Sequence, residues 1–122
     1  MGKYRRKRGS SKGEFAIRKF LSERGIRYVK QKTFKTCKNV RLLRFDFYLP
    51  DFNLLIEYQG RQHFHPIKRE KNWTEEMSIK ELKKIQKNDN IKKTWCVNSG
   101  KKLITIKYNS KDIFKKIKKE ID

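Results

Sequence analysis

Apolar residues first recur at helical spacing behind Ser11-Lys12-Gly13-Glu14, where Ile17, Phe20 and Leu21 form one stripe. Ser11 with Glu14 three positions later is a capping box, so a helix opens at Ser11, and Gly25 ends it. Tyr28 to Phe34 reads as a short strand. The runs Arg44 to Leu49 and Leu54 to Gln59 alternate as strands and meet through Pro50-Asp51-Phe52-Asn53, a loop of turn formers that predicts a hairpin. Residues 60–73 lose all periodicity. A helical pattern then runs from Thr74 towards Trp95, with Leu82 and Ile85 inward, a weak point at Asn88-Asp89-Asn90, and Gly100 closing it. Leu103 to Ile106 is a short strand apolar enough to be buried. A last helix opens at Ser110 and presents Ile113, Phe114, Ile117 and Ile121 on one side. The predicted order is helix, three strands, helix, strand, helix, an α/β arrangement.

The hairpin register follows from its loop. If Leu49 pairs with Leu54, Phe47 faces Ile56, Asp46 faces Glu57 and Arg44 faces Gln59. Alternation then puts Phe45, Phe47 and Leu49 on a core face with Leu54, Ile56 and Tyr58. The other face sets Asp46 against Glu57, and like charges opposed in a sheet cost on the order of 0.2–1 kcal/mol. A divalent cation is one compensation, since paired hard oxygens suit Mg²⁺. An ordinary ion cluster with Arg44 and nearby lysines is the other. Glu14 borders the buried stripe of its helix, so it either completes the capping box with Ser11 or adds a third carboxylate over the sheet.

Charge decides the class of partner. The 122 residues carry 34 Lys+Arg against 13 Asp+Glu, a net charge of +21, which calls for a polyanion or for a lysine-coated surface. Arginines cluster at Arg5, Arg6 and Arg8 and again at Arg41, Arg44, Arg61 and Arg69 among aromatics, a combination suited to phosphate contact and base stacking. Nucleic acid is therefore the expected partner; an anionic membrane surface lacks a strong amphipathic basic helix to meet it. The length predicts one domain over residues 10–122 behind a flexible basic arm at 1–9. Only 35% of residues are hydrophobic, but 12% are aromatic, enough to carry a compact core. With no secretory pattern and no apolar run of roughly 20 residues, the expectation is an intracellular, cytoplasmic protein whose Cys37 and Cys96 stay reduced.

The ordered set of an acidic residue near a helix start, Phe45-Asp46-Phe47, Ile56-Glu57-Tyr58-Gln59-Gly60, Gln62-His63-Phe64 and a long helix before Leu103-Ile104-Thr105-Ile106 resembles the PD-(D/E)XK nuclease superfamily. It is closest to the small phage-encoded, homing-type and very-short-patch-repair-like members, over roughly residues 11–108. The resemblance implies a restriction-endonuclease-like core with a mixed central sheet flanked by helices. It also implies a Mg²⁺-dependent endonuclease of double-stranded DNA, with Mn²⁺ as a substitute metal. Asp46 and Glu57 match the motif's acidic residues and, with the Tyr58 carbonyl, would hold the metal. Glu14 matches the helix glutamate that some members use through an outer water. Pro50-Asp51 spells the motif's Pro-Asp but sits in the turn and is a decoy.

Gln59 stands where the motif has lysine; it can orient a water but adds no charge. Lys92 or His63 would then bring the missing charge. His63 is also a candidate proton donor or metal ligand, with His65 a weaker one. Gln86 and Asp89 lie at helical spacing on the long helix and both could face the sheet, although a surface or capping role suits Asp89 equally. The arm and the segment 60–73, with Arg61, Lys68 and Arg69, would grip the DNA backbone, and a homodimer is one route to specificity. Two alternatives remain: a non-catalytic nucleic-acid-binding protein, and a junction-resolving nuclease with the same site. A pure binder has no reason to aim Asp46 and Glu57 at a polyanion.

Overall fold

The computed structural model describes residues 11–122. Helix α1 (Lys12–Glu23) starts where the Ser11 hydroxyl accepts the Glu14 N–H at 3.1 Å, and Gly25 turns the chain out at φ +68°. Strands β1 (Val29–Lys38), β2 (Leu42–Leu49) and β3 (Leu54–Gln59) follow as an antiparallel meander. The β2–β3 loop is a 3₁₀ turn, Pro50–Phe52, closed by Asn53 in the left-handed region at φ 48°. Helix α2 (Glu75–Ser99) is capped by the Thr74 side chain and ended by Gly100 at φ 69°. It crosses to β4 (Lys102–Lys107), which lies parallel to β3, and α3 (Lys115–Ile121) completes the chain. The described residues form one mixed four-stranded sheet in the order β1-β2-β3-β4. The predicted element order and the α/β class both hold.

Two cores cover the sheet. On one face Phe47, Leu49, Leu54, Ile56, Ile104 and Ile106 pack against Ile17 and Leu21 of α1 and Ile117 of α3. On the other Cys37, Phe45 and Leu55 pack under Cys96 of α2, with Phe34 and Trp95 stacked beside them at 4.6 Å. Both cysteines are free and buried. Among the described residues no helix is long and apolar enough to cross a membrane.

Four expectations need correcting. The first strand continues past Phe34 to Lys38, half of it exposed at the sheet edge, where apolar alternation gives no signal. Helix α2 runs unbroken through Asn88-Asp89-Asn90, because Asn88 accepts from the Asn39 amide at 3.0 Å and Asp89 engages His63 at 2.8 Å. Its Leu82 and Ile85 are only half-buried; Ser78 and Cys96 are its buried residues. The last helix begins at Lys115, after a turn in which Asp112 accepts the Phe114 N–H at 2.9 Å, and Phe114 stacks on Phe20 from that turn.

The close approach of α1 to the end of β3 depends on Gly13. A Cβ at this buried position would overlap the Tyr58 ring. Overpacking costs typically about 1–3 kcal/mol, against roughly 1 kcal/mol gained in helix propensity. Gly13→Ala should therefore lower stability in urea unfolding; an alanine variant at least as stable as the parent would mean the ring yields freely.

Candidate active site

The β2–β3 ladder runs from Leu49↔Leu54 through Tyr48↔Leu55 to Phe47↔Ile56, the register the turn predicts, and Asp46 and Glu57 come next along the two strands. There the regular sheet gives way. Asp46 Oδ2 accepts the Tyr58 N–H at 2.7 Å, so a side chain ties the strands at the end of the ladder. On the other flank Gln31, between the pairs Lys30↔Phe47 and Lys32↔Phe45, holds φ +53°. A left-handed non-glycine residue costs roughly 1–2 kcal/mol and here lies beside the carboxylates. This irregularity explains why Phe45 does not share the face of Phe47, as alternation predicts, but sits in the opposite core with Leu55. Asp46 occupies the point where β2 changes sides.

Glu57 points to the α2 side, with 7% of its side chain exposed. Lys92 of α2, itself 13% exposed, reaches it with Nζ at 2.5 Å from Oε1 and lies 5.5 Å from the Phe45 ring centroid. Glu14 approaches Asp46 from the α1 side. The two line a cavity of about 30 Å³ with Arg18, Lys30 and Gln31, room for a single water.

All three carboxyls are held above their ordinary values, first of all by burial. Glu57 is pushed up to about 8, by burial and then by the Asp46 charge, while Lys92 pulls the other way. Asp46 is raised by burial against the lowering pull of the Tyr58 N–H, Lys92 and a hydrogen bond with Glu57. Glu14 is raised by burial and by Asp46, less the hydrogen bond from Ser11. Near neutral pH the Asp46–Glu57 pair thus retains a proton that a cation would displace.

Past β3 the chain makes a 3₁₀ turn, Arg61–His63, that brings His63 under α2. His63 Nδ1 lies 2.8 Å from Asp89 Oδ2, and the Gln86 amide donates to the His63 carbonyl at 3.2 Å. Gln59 shares a cleft with His63 and Asp89. Arg44 and Arg69 line a second cleft with His63 and Lys92, Arg69 standing 3.7 Å from Glu81. Arg61 and Lys68 are exposed; His65 turns away to Tyr108 at 3.2 Å. Asp51 pairs with Arg27 at 2.8 Å, both side chains exposed. Arg5, Arg6 and Arg8 lie outside the described residues.

The structure thus brings together Glu14, Asp46, Glu57 and, around them, Gln59 and His63. It sets Asp89, which the sequence left between the sheet and the surface, against His63, and Lys92 against Glu57. The signal for both was a helical stripe, Ile85, Asp89, Lys92 and Cys96 at i, i+4, i+7 and i+11, which a search for purely apolar stripes passes over. Among the described residues no three His, Cys, Asp or Glu side chains cluster closely enough to hold a metal ion. Mg²⁺ needs less: it keeps several waters and binds through one or two carboxylates. Two repelling carboxyls, Glu57 buried and Asp46 half-buried, fit that requirement, and the lack of a nitrogen and sulfur set does not fit zinc.

No family model matches the chain, and no solved structure matches it. The chain is similar to uncharacterized protein 094L of Frog virus 3 (isolate Goorha), 30% identical over 106 residues. The match covers 84% of this chain, which spans 66% of the relative's length.

Two melting experiments probe the pair. Folded Glu57 keeps its proton to about pH 8, whereas its ordinary value is 4.5. The folded state therefore binds more protons between those values, and stability falls as pH rises through that window. In EDTA, the parent's Tm relative to Glu57→Gln should decline from pH 4.5 to 8; parallel profiles would mean the carboxyl is ionised throughout. Asp46→Asn keeps the acceptor for Tyr58 and removes one repelling charge. It should melt above the parent in EDTA, and Mg²⁺ should stabilise only the parent appreciably. A clear loss of stability in that variant would mark Asp46 as half of a structural ion cluster.

Proposed function

We propose that the protein is a Mg²⁺-dependent DNA endonuclease of the PD-(D/E)XK type, with a restriction-endonuclease-like core. The observation that carries this reading is the Asp46–Glu57 pair at the break in the sheet, Glu57 buried and Asp46 half-buried, with Lys92 of α2 on Glu57. A protein of net charge +21 that hides two carboxylates where its strands part is equipped to hold a cation against a phosphate.

Asp46, Glu57 and the Tyr58 carbonyl would hold the ion. When bound, Mg²⁺ supplies Lewis-acid polarisation of a phosphoryl oxygen and lowers the pKa of water. The remaining chemistry belongs to the chain. Gln59 orients the attacking water by hydrogen bonding. Lys92 supplies the positive charge that glutamine at position 59 does not, close to Glu57 and in a site dry enough for that charge to act strongly. His63, held by Asp89 and by Gln86 at its carbonyl, is placed to donate a proton to the leaving oxygen. Glu14 orders water in the cavity it shares with Asp46. Arg44, Arg61, Lys68 and Arg69 meet the backbone.

The Lys92–Glu57 pair also favours a second reading: a structural ion pair inside a non-catalytic DNA-binding protein. Cleavage of supercoiled DNA separates them. With Mg²⁺, Asp46→Asn and Glu57→Gln should each lower cutting by about 100-fold or more while DNA affinity changes little. Lys92→Gln should cost roughly 100-fold in rate, the scale of one lost transition-state charge contact. Binding without any metal-dependent cutting by the parent would favour the structural pair.

A further inference from the structure

The parallel strands β3 and β4 run out together at Gln59 and Lys107, and α2 passes over their ends. Carboxyl ends of parallel strands are where α/β sheets open crevices for ligands. Here the crevice is a cleft of about 400 Å³, within the range of about 300–1,000 Å³ of small-molecule sites. Gln59, His63 and Asp89 of the proposed site form part of its wall, and Phe64, Asn90, Lys93 and Lys107 are among the residues that line the remainder. A bound ion or a lone phosphate leaves most of such a space empty.

Its lining is of mixed chemistry. Phe64 offers a half-buried ring, flanked by Tyr108 at 6.1 Å and by Lys107, whose Nζ lies 5.0 Å from the ring centroid. The Asn90 and Gln86 amides carry both donors and acceptors, as base edges do. Lys93 and Lys107 add two cations. The neighbouring cleft, with Arg44 and Arg69, has no Phe, Tyr or Trp among its described lining residues and suits phosphate alone.

We infer that the cleft between α2 and the ends of β3 and β4 takes one unstacked nucleotide of a bound nucleic-acid strand. The base meets Phe64 and the amides, and the phosphates meet Lys93 and Lys107. This rests on the nuclease reading only for the presence of the strand, and it makes the nucleotide beside the cut a selected one. Flipping costs least where pairing is already weak, so a mispaired base should enter most readily.

The test uses the full chain in EDTA, so that no metal-dependent cutting intervenes. Duplexes carry one 2-aminopurine, paired with thymine or mispaired with cytosine, and both fluorescence and anisotropy are read. On saturation the mispaired probe should brighten about threefold or more as its base leaves the stack. Asn90→Ala and Phe64→Ala should remove most of that rise while anisotropy affinity stays within about fivefold, because backbone cations dominate affinity. Asn90 is an exposed helical position, so its variant keeps the test valid if Phe64→Ala folds poorly. Free 2-aminopurine deoxynucleotide should compete only weakly. Binding without brightening, brightening that survives both variants, or a free nucleotide binding as tightly as the duplex each overturns the inference and leaves the nuclease reading intact. Failure to bind DNA at all overturns both.

Discussion

The desolvation of Asp46 and Glu57 is the constraint around which the rest of the site is organised. Two carboxyls close together and out of water cannot both carry full charge, so the surroundings must hold a proton, a lysine or an ion there. The fold supplies partial answers from three directions. The Tyr58 N–H binds Asp46, Lys92 reaches Glu57 from α2, and Glu14 lines a small cavity beside Asp46 from α1. None cancels the raised proton affinity of the pair, and Glu57 remains near 8. A proton shared within the pair and the Lys92–Glu57 contact are the compensation that the described residues supply.

That electrostatic demand has a structural counterpart. β2 changes faces at Asp46, and Gln31 takes a left-handed conformation beside it. A regular strand would send Asp46 to one face only. At the switch its carboxylate can interact with Glu57, which Lys92 meets on the α2 side, and with Glu14 on the α1 side. The two cores, one under α1 and α3 and one under α2, hold this irregular point from both sides.

Much of this was legible in the residues. The turn Pro50–Asn53 set the register, and the register set Asp46 beside Glu57. Ser11 and Glu14 marked the helix that carries the third carboxylate. Alternation failed at Phe45 because a period of two assumes an unbroken strand, and the break falls at the site. The reach of α2 was hidden for a different reason. Its sheet-facing stripe mixes Ile85 and Cys96 with Asp89 and Lys92, so the side that looks polar enough for solvent turns inward. Long-range pairs such as His63 with Asp89, 26 residues apart, leave no local pattern to read.

The charges of the surface and of the site differ in sign and in screening. At physiological ionic strength surface charges are screened beyond about 8 Å, so the lysine-coated exterior acts on a polyanion mainly at contact. Charges inside the site are screened far less, so the charge that the Asp46–Glu57 pair keeps beside its retained proton acts strongly on its neighbours. Lys92, with Nζ 2.5 Å from Glu57, also lowers the proton affinity of Asp46, as do His63 and the Tyr58 N–H. On the nuclease reading proposed above, a cation would complete this site.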